Sequence, residues 1–429
     1  MYCARERRHV SVSCHGRESS GGCTDSVDQG RTRMKLGSAR LLACASAIAV
    51  IALAAVLRGD VGAPSAQSAV GGQAGATAAP PMAEQAFKNI QALKGISAAD
   101  FMGTMGIMTA ALGFDCSECH VAAGTDKVDW AADTPRKVIA RRMVNMVTAI
   151  NQNNFAGRQL VTCWTCHRGR DKPVVTPNLD LVYGMPTLEP DDLVVASVPG
   201  LPKPDEIIDK YLQALGGAER LAGITSFTAT GTSIGFGGFG GGGAVQIYAK
   251  APDQRSTIIE FKNAPGRDAS IRSYDGKTGW NKTPLTVLGE YQLSGSELDG
   301  ARLDAQMAFP SQIKSILTNL RTLQPATIND RDVDAVQGNG PGRLFATLYF
   351  DKETGLLTRM VRYGNSPIGR LPTQIDYADY RDVNGVRLPF RFTFAWLDGR
   401  DAFQLTDVRI NVPIDAAKFG RPTSLETKR

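Results

Sequence analysis

Histidine and spare cysteine are what this sequence has least of. Four histidines occur in 429 residues, and His9 and His15 lie near the start. Beyond residue 167 there is neither histidine nor cysteine, which excludes a Ser-His or Cys-His nucleophile from the rest of the chain. Of eight cysteines, Cys3, Cys14, Cys23 and Cys44 precede residue 45 and the other four fall in two short motifs. No pair is left over for a disulfide framework. A strong basic field is missing too. Residues 1–69 hold 9 Lys+Arg against 5 Asp+Glu, which leaves 39 against 37 in the remainder. That near balance excludes nucleic-acid binding as a primary role. The glycine-phenylalanine run at 235–243 lacks the Lys-Ser/Thr that a phosphate loop needs, and reads as a mobile loop.

What is present is a repeated motif. Cys116-Ser117-Glu118-Cys119-His120 and Cys163-Trp164-Thr165-Cys166-His167 are both C-x-x-C-H, the attachment sequence for a covalent c-type haem. Two thiols three residues apart can each add across one vinyl group of the same porphyrin, and the histidine is then held as the proximal iron ligand. A single match arises by chance in about one chain in a thousand of this composition, and here there are two. Zinc ligation would prefer four converging thiolates and does not require a histidine after each pair. A thioredoxin-like redox pair needs no histidine. The expected cofactors are therefore two covalently bound c-type haems, attached at Cys116, Cys119, Cys163 and Cys166, with His120 and His167 as ligands.

The N-terminus reads as an export region. Residues 1–33 are polar and do not conform to a signal. From Met34 a short basic stretch leads into a 17-residue apolar run at 41–57. Length does not separate a cleaved signal peptide from a retained anchor. Either way the expected location is periplasmic, with 41–57 able to hold the chain at the inner membrane. The organisation read from composition is 1–33 extension, 34–69 signal or anchor, 70–84 flexible linker and 85–180 dihaem domain. A Pro-rich linker at 181–204 and an antiparallel β domain at 205–429 complete it.

Inside 85–180 the apolar spacing is helical. Ser97 with Asp100 three residues on is a variant capping box. Phe101, Met105, Met108 and Leu112 share one face of the helix that follows, and Gly113 is a natural stop. Gly103 and Gly106 lower its propensity, which suits a flat haem or a partner helix close to the backbone. A second helix is capped by Asp133 or Thr134, takes Pro135 at its first position and is expected to reach about Asn151. Ile139, Met143, Met146, Val147 and Ile150 form its apolar stripe. Arg136, Lys137, Arg141 and Arg142 form a basic flank, open to water or to haem propionates. With both exported histidines already proximal, neither iron can take a second imidazole. Methionine, a weaker donor or nothing must stand opposite, and each motif follows a methionine-bearing helix.

The stretches 101–120, Val138-Ile139-Ala140-Arg141-Arg142-Met143-Val144-Asn145-Met146 and Val161-Thr162-Cys163-Trp164-Thr165-Cys166-His167-Arg168-Gly169 together resemble the first half of the cytochrome c subunit of photosynthetic reaction centres. The resemblance spans roughly 85–180. It implies axial methionines at Met105 for the first haem and Met143 for the second, and leaves Met102, Met108 and Met146 as packing residues. It also implies redox protein partners, either a membrane-bound electron-transfer complex or a reaction centre. The third and fourth C-x-x-C-H of that family are absent, as is the histidine it places where this chain has residues 151–160.

After about Thr225 the period changes from 3.6 to 2. Leu344, Ala346, Leu348 and Phe350 alternate with Phe345, Thr347 and Tyr349, as in a half-buried strand. Asn384-Gly385, Asp398-Gly399, residues 351–355 and residues 274–277 mark successive hairpins, with a helical interruption near 296–317. The turn spacing resembles LolA/LolB-like carriers. The fold class expected is α+β multidomain: a mainly helical dihaem cytochrome c domain, then an antiparallel β half-barrel with one or two helices. The expected function is electron transfer, not enzymatic. Two alternatives stay open: a periplasmic lipid- or lipoprotein-binding protein with redox-sensing haems and an apolar ligand in the C-terminal domain, and a dihaem peroxidase.

Overall fold

The computed structural model describes residues 80–125, 127–184, 198–235, 242–261, 269–284, 288–342 and 344–422. The readings for residues 1–79, for most of the Pro-rich linker and for the centre of the glycine-phenylalanine run lie outside the described residues. Residues 75–429 form one compact unit. Among the described residues, no helix is long and apolar enough to cross a membrane.

The N-terminal part is helical: α1 (Ala83–Ala86), α2 (Ala98–Leu112), α3 (Pro135–Phe155), α4 (Cys163–His167) and α5 (Leu179–Tyr183). Ser97 caps α2 by accepting from the Asp100 N–H, and Gly113 ends it at φ +67°. Thr134 caps α3, with Pro135 next. That helix runs four residues past the expected end, because Asn151 sits inside it and Ala156 and Gly157 supply the left-handed exit. Despite its neighbouring prolines, the segment after the second motif still turns once through α5.

Two helical faces differ from expectation. The ridge of α2 that is buried is Thr104, Ile107 and Ala111, while the Phe101, Met105, Met108 and Leu112 stripe is only half-buried. On α3 the buried residues are Val144, Val147 and Asn151, whereas Ile139 and Met146 are exposed. In both cases the buried ridge is the one that meets the rest of the fold.

Helices α6 (Pro204–Ala214) and α7 (Ala218–Ala222) lead into one fourteen-stranded antiparallel sheet. Strands β1 (Ser226–Ser233), β2 (Gly243–Lys250), β3 (Gln254–Phe261), β4 (Ser270–Tyr274), β5 (Gly279–Lys282) and β6 (Glu290–Gln292) step outward to one edge. The chain then crosses through α8 (Gly295–Gln306) and α9 (Ile313–Ile316) to the other edge. It returns as β7 (Thr318–Thr322), β8 (Ala326–Ile328), β9 (Arg331–Asn339), β10 (Phe345–Asp351), β11 (Leu357–Ser366), β12 (Gly369–Val383), β13 (Val386–Trp396) and β14 (Gly399–Ile410), and β14 pairs with β1. The sheet stays open, since β6 and β7 end the strand order without pairing.

Turn chemistry explains the register. Asn384 and Gly385 both take positive φ between Val383 and Val386, the geometry of a two-residue type I′ hairpin. One turn shifts by a residue from the sequence reading: Trp396 pairs with Gly399, so Leu397-Asp398 forms the loop. Strand β10 is buried along its whole length, not on one face. Ala346, Leu348 and Phe350 enter the main core with Ile208, Tyr211, Leu303 and Ile313. Phe345 and Tyr349 join Leu323, Ile328, Val361 and Tyr363 on the other side. Arg370 caps that second cluster, with its guanidinium 5.5 Å from the Phe345 ring.

Candidate functional site

Each C-x-x-C-H motif occupies a single helical turn, and each turn is held by the other half of the helical region. The first lies on the 3-10 turn Cys116–Glu118, which Asp115 caps through the Ser117 N–H. The start of α3 grips it: the Thr134 hydroxyl donates to the Cys119 carbonyl at 2.9 Å, and Arg136 pairs with Glu118. The second is α4, capped reciprocally by Thr162 and Thr165. The end of α2 grips that one, because the Gly169 N–H donates to Ala111 O at 2.9 Å. Gly113 and Gly169 approach so closely that a Cβ on Gly113 would lie 2.5 Å from Gly169 O. The two motifs are thus fixed relative to each other by helices whose own caps are encoded locally.

Asn151 supplies a further tie. Its side chain accepts from the Leu160 and Val161 N–H groups and donates to Val161 O at 2.7 Å. This closes the loop that delivers Thr162 to the N-cap of α4.

None of the four motif cysteines is in a disulfide. Burial pushes Cys116, Cys119 and Cys163 up in pKa. The two histidines are presented differently. His167 Nδ1 lies 3.0 Å from the Arg170 carbonyl; with the proton on Nδ1, the Nε2 lone pair is left for a ligand. His120 Nδ1 is buried without a hydrogen-bond partner, and Trp130 packs edge-on against the ring at 5.0 Å. Burial, and then the charge of Lys137, push His120 down in pKa against a weaker opposing pull from the Trp130 backbone. A lowered value keeps the imidazole neutral, as metal ligation requires.

Met105 and Met143 are half-buried on α2 and α3. Met108 packs into the cluster of Ile107, Val144 and Ile368, while Met146 is exposed rather than packed. Val121, Ile139, Leu160, Trp164 and Val174 expose apolar surface in the same region. The basic flank is mostly engaged. Arg136 holds Glu118, Lys137 Nζ donates to Trp130 and Ala132 carbonyls, and Arg141 pairs with Asp133 at 2.7 Å. A cysteine pair three residues apart, the histidine that follows it and nearby apolar surface together form a donor set suited to a covalent haem at each motif.

The sheet reaches the second motif and the helix α2, which sequence reasoning did not foresee. At the β11–β12 turn, Ile368 is 0% exposed and lies in a cluster that Cys163 packs against. Gln159 donates to Ser366 O at 2.8 Å. Gly103 faces Leu371, and Gly106 faces Leu397 and Asp398. Gly103 therefore meets strand β12, and Gly106 meets the β13–β14 turn. The helix-bearing face of the sheet is filled by α6, α7, α9 and Leu303 of α8. Two surface clefts of about 390 and 490 Å³ lie elsewhere, one against Asp100 and Ser296 and the other against Thr225 and Asn411.

Residues 61–177 match the family described as photosynthetic reaction centre cytochrome C subunit. The photosynthetic reaction center cytochrome c subunit of Thermochromatium tepidum is 37% identical over 98 residues, which cover 22% of this chain and 23% of that protein. Its counterpart in Rubrivivax gelatinosus is 33% identical over 97 residues, covering 22% and 25%. The chain spans about a quarter of the length of these curated relatives. Among solved structures, a LolA superfamily protein from Nitrosomonas europaea is 14% identical with a TM-score of 0.35, covering 52% of this chain and 99% of that one. A DUF1329 family protein from Desulfovibrio piger is 11% identical with a TM-score of 0.36, covering 51% and 98%.

Proposed function

We propose that this chain is an exported c-type cytochrome that carries two covalent haems and passes single electrons between redox partners. One observation carries the reading: two C-x-x-C-H turns, each with its cysteine pair and histidine in sequence, locked together through Gly113, Gly169 and Ala111. Cys116 with Cys119, and Cys163 with Cys166, would hold one haem each. When bound, each haem supplies a one-electron ferric/ferrous couple.

The protein's own residues then do the remaining work. The Arg170 carbonyl orients His167, and the start of α3 holds the Cys119–His120 loop. Met105 and Met143 are the proposed ligands opposite His120 and His167, a reading that follows the likeness to reaction centre cytochrome subunits. A filled sixth position suits outer-sphere electron transfer better than peroxide chemistry, for which no further histidine is available in this part of the chain. The partners proposed are membrane-bound electron-transfer proteins, with residues 34–69 directing export or anchoring.

Covalent haem content tests the reading. Intact mass and a pyridine haemochrome assay on protein from a host competent in cytochrome c maturation should give two haems per chain. Replacing Cys116 and Cys119 by Ala should leave one. A wild-type protein with fewer than two covalent haems overturns the proposal.

A further inference from the structure

The loop that leaves the second motif folds back onto the motif itself. The Val174 N–H donates to Cys166 O at 2.9 Å, and the Arg170 N–H donates to His167 O at 3.1 Å. Arg168, Arg170 and Lys172 are exposed on this loop, with Asp171 as the one carboxylate among them. Among the described residues, no ion pair engages any of these three cations. Around the first motif, by contrast, Glu118 pairs with Arg136 and Asp133 with Arg141. Trp164 gives the loop an apolar centre. It is 52% exposed, and its ring lies 3.9 Å from where a Cβ on Gly169 would stand, between Arg168 and Arg170 in the chain. Val174 and Val175 extend the exposed apolar surface. This is the side of the motif that a porphyrin does not take. On α4, Cys163, Cys166 and His167 stand at i, i+3 and i+4 and share one face, whereas Trp164 at i+1 is turned about 100° from it.

We propose that the Trp164 face, rimmed by Arg168, Arg170 and Lys172, docks an electron-transfer protein with an acidic surface, which exchanges its electron with the haem at Cys163 and Cys166. The inference rests on the haem assignment above and adds the docking site and the charge of the partner. An exposed tryptophan set among arginines has the composition of an interface centre. The cations steer a carboxylate-bearing partner and orient it onto the indole. Once docked, the partner is separated from the porphyrin edge by a single turn of chain, because both thioether bonds leave from that turn. In the exchange one electron passes from the reduced partner to ferric iron. The partner is oxidised, the iron becomes ferrous, and no bond or proton moves. Steering of this kind speeds encounter by about tenfold at low salt. Salt removes it, as the screening length falls from ~30 Å at 0.01 M to ~3 Å at 1 M.

The test is stopped-flow reduction of the oxidised full chain, first shown by mass to hold two haems. The donor is a reduced plant-type ferredoxin of acidic surface, a low-potential one-electron carrier. Cys116→Ala/Cys119→Ala, which keeps only the second haem, isolates the component of interest. Its rate should fall about tenfold from low to high salt. Arg168→Gln/Lys172→Gln should be about tenfold slower at low salt and nearly independent of salt, with haem content and the rate toward uncharged duroquinol unchanged. Arg170 is left in place because its carbonyl holds His167. Lys172→Glu is the second variant, should the double one fail to assemble, and should slow the ferredoxin reaction likewise. An unchanged rate and salt slope overturns the inference while the haem assignment stands. Loss of the second haem in both variants would make the cations cofactor contacts and also overturn it, as would equal slowing toward duroquinol. A variant that loses binding to phosphatidylglycerol vesicles yet keeps its ferredoxin rate would assign the face to a membrane and overturn the inference too. A wild type with fewer than two haems would instead overturn the assignment beneath it.

Discussion

The side chain of Asn151 both accepts from the Val161 N–H at 3.0 Å and donates to the Val161 carbonyl at 2.7 Å. Asn151 is 6% exposed, near the end of α3, and Val161 immediately precedes the N-cap of the second motif. One buried amide therefore transmits the position of the long helix to the second cysteine pair.

Asn151→Ala should be costly, because it strands the Val161 N–H and carbonyl and leaves the Leu160 N–H with the Arg158 carbonyl alone. A loss of about 1–3 kcal/mol is expected, read by urea unfolding, together with reduced haem loading at Cys163 and Cys166 alone. Equal stability to wild type would show that the loop is held by other contacts.

Gly113 and Gly106 lie close together at the end of and within the same helix, and should respond to alanine with opposite signs. Gly113 sits at φ +67°, and a Cβ added there would meet Gly169 O at only 2.5 Å, so Gly113→Ala should destabilise by about 2 kcal/mol. At Gly106 the nearest atom is Leu397 Cβ at 3.5 Å, an ordinary contact. There alanine should be neutral or gain up to about 1 kcal/mol from helix propensity. Denaturant midpoints of the two variants provide the comparison.

Arg362 and Asp304 form a fork of 3.1 and 3.0 Å between β11 and α8, with side-chain exposures of 6% and 13%. Gly300 leaves room for the guanidinium. Asp304→Ala would strand a buried charge and should cost about 3–5 kcal/mol. Replacing both by apolar residues of similar volume should cost much less. A double variant as unstable as the single one would refute this account.

Asp351 should govern part of the acid response. Burial works to raise its pKa, but the Thr354 N–H and hydroxyl and the Arg331 guanidinium outweigh it, and the carboxyl lies below its ordinary value of 3.8. A depressed folded-state pKa means stability that is complete above the unfolded value and is lost as pH falls through the folded one. Asp351→Asn should therefore lower stability at neutral pH and flatten its decline below about pH 4. Urea unfolding at a series of pH values checks this, and a slope unchanged by the substitution would count against it.

Met105→Ala and Met143→Ala test the sixth ligands one at a time. Each should weaken the sulfur-to-iron charge-transfer absorption of the oxidised protein and lower one of two potentials, since thioether favours ferrous iron. A variant with an unchanged spectrum would remove that methionine from the ligand set.

Much of this was legible from local chemistry. Ser97, Thr134 and Pro135 announce helix starts because their signals act within one turn. Asn384-Gly385 announces a hairpin because both residues tolerate positive φ. The cysteine and histidine positions needed only spacing. Which face of each helix is buried was less legible. The methionine stripe of α2 and the stripe of α3 satisfy helical periodicity, yet the residues inside are Thr104 and Ile107 on α2 and, on α3, Val144 and Asn151 beside Val147, the one stripe residue that is buried. Periodicity reports that two faces differ, not which partner each will meet.

Sequence alone therefore determined the chemistry-bearing residues, the helix caps, the hairpin turns and the division into helical and β parts, since each depends on neighbours a few residues away. Only tertiary structure decided that β10 is buried on both faces, that Gly103 meets β12 and Gly106 the β13–β14 turn, and that Asn151 staples Val161. It also decided that Ile368, some two hundred residues from the second motif in the chain, packs in one cluster with Cys163. Those relationships arise from long-range packing between elements, which no local pattern encodes.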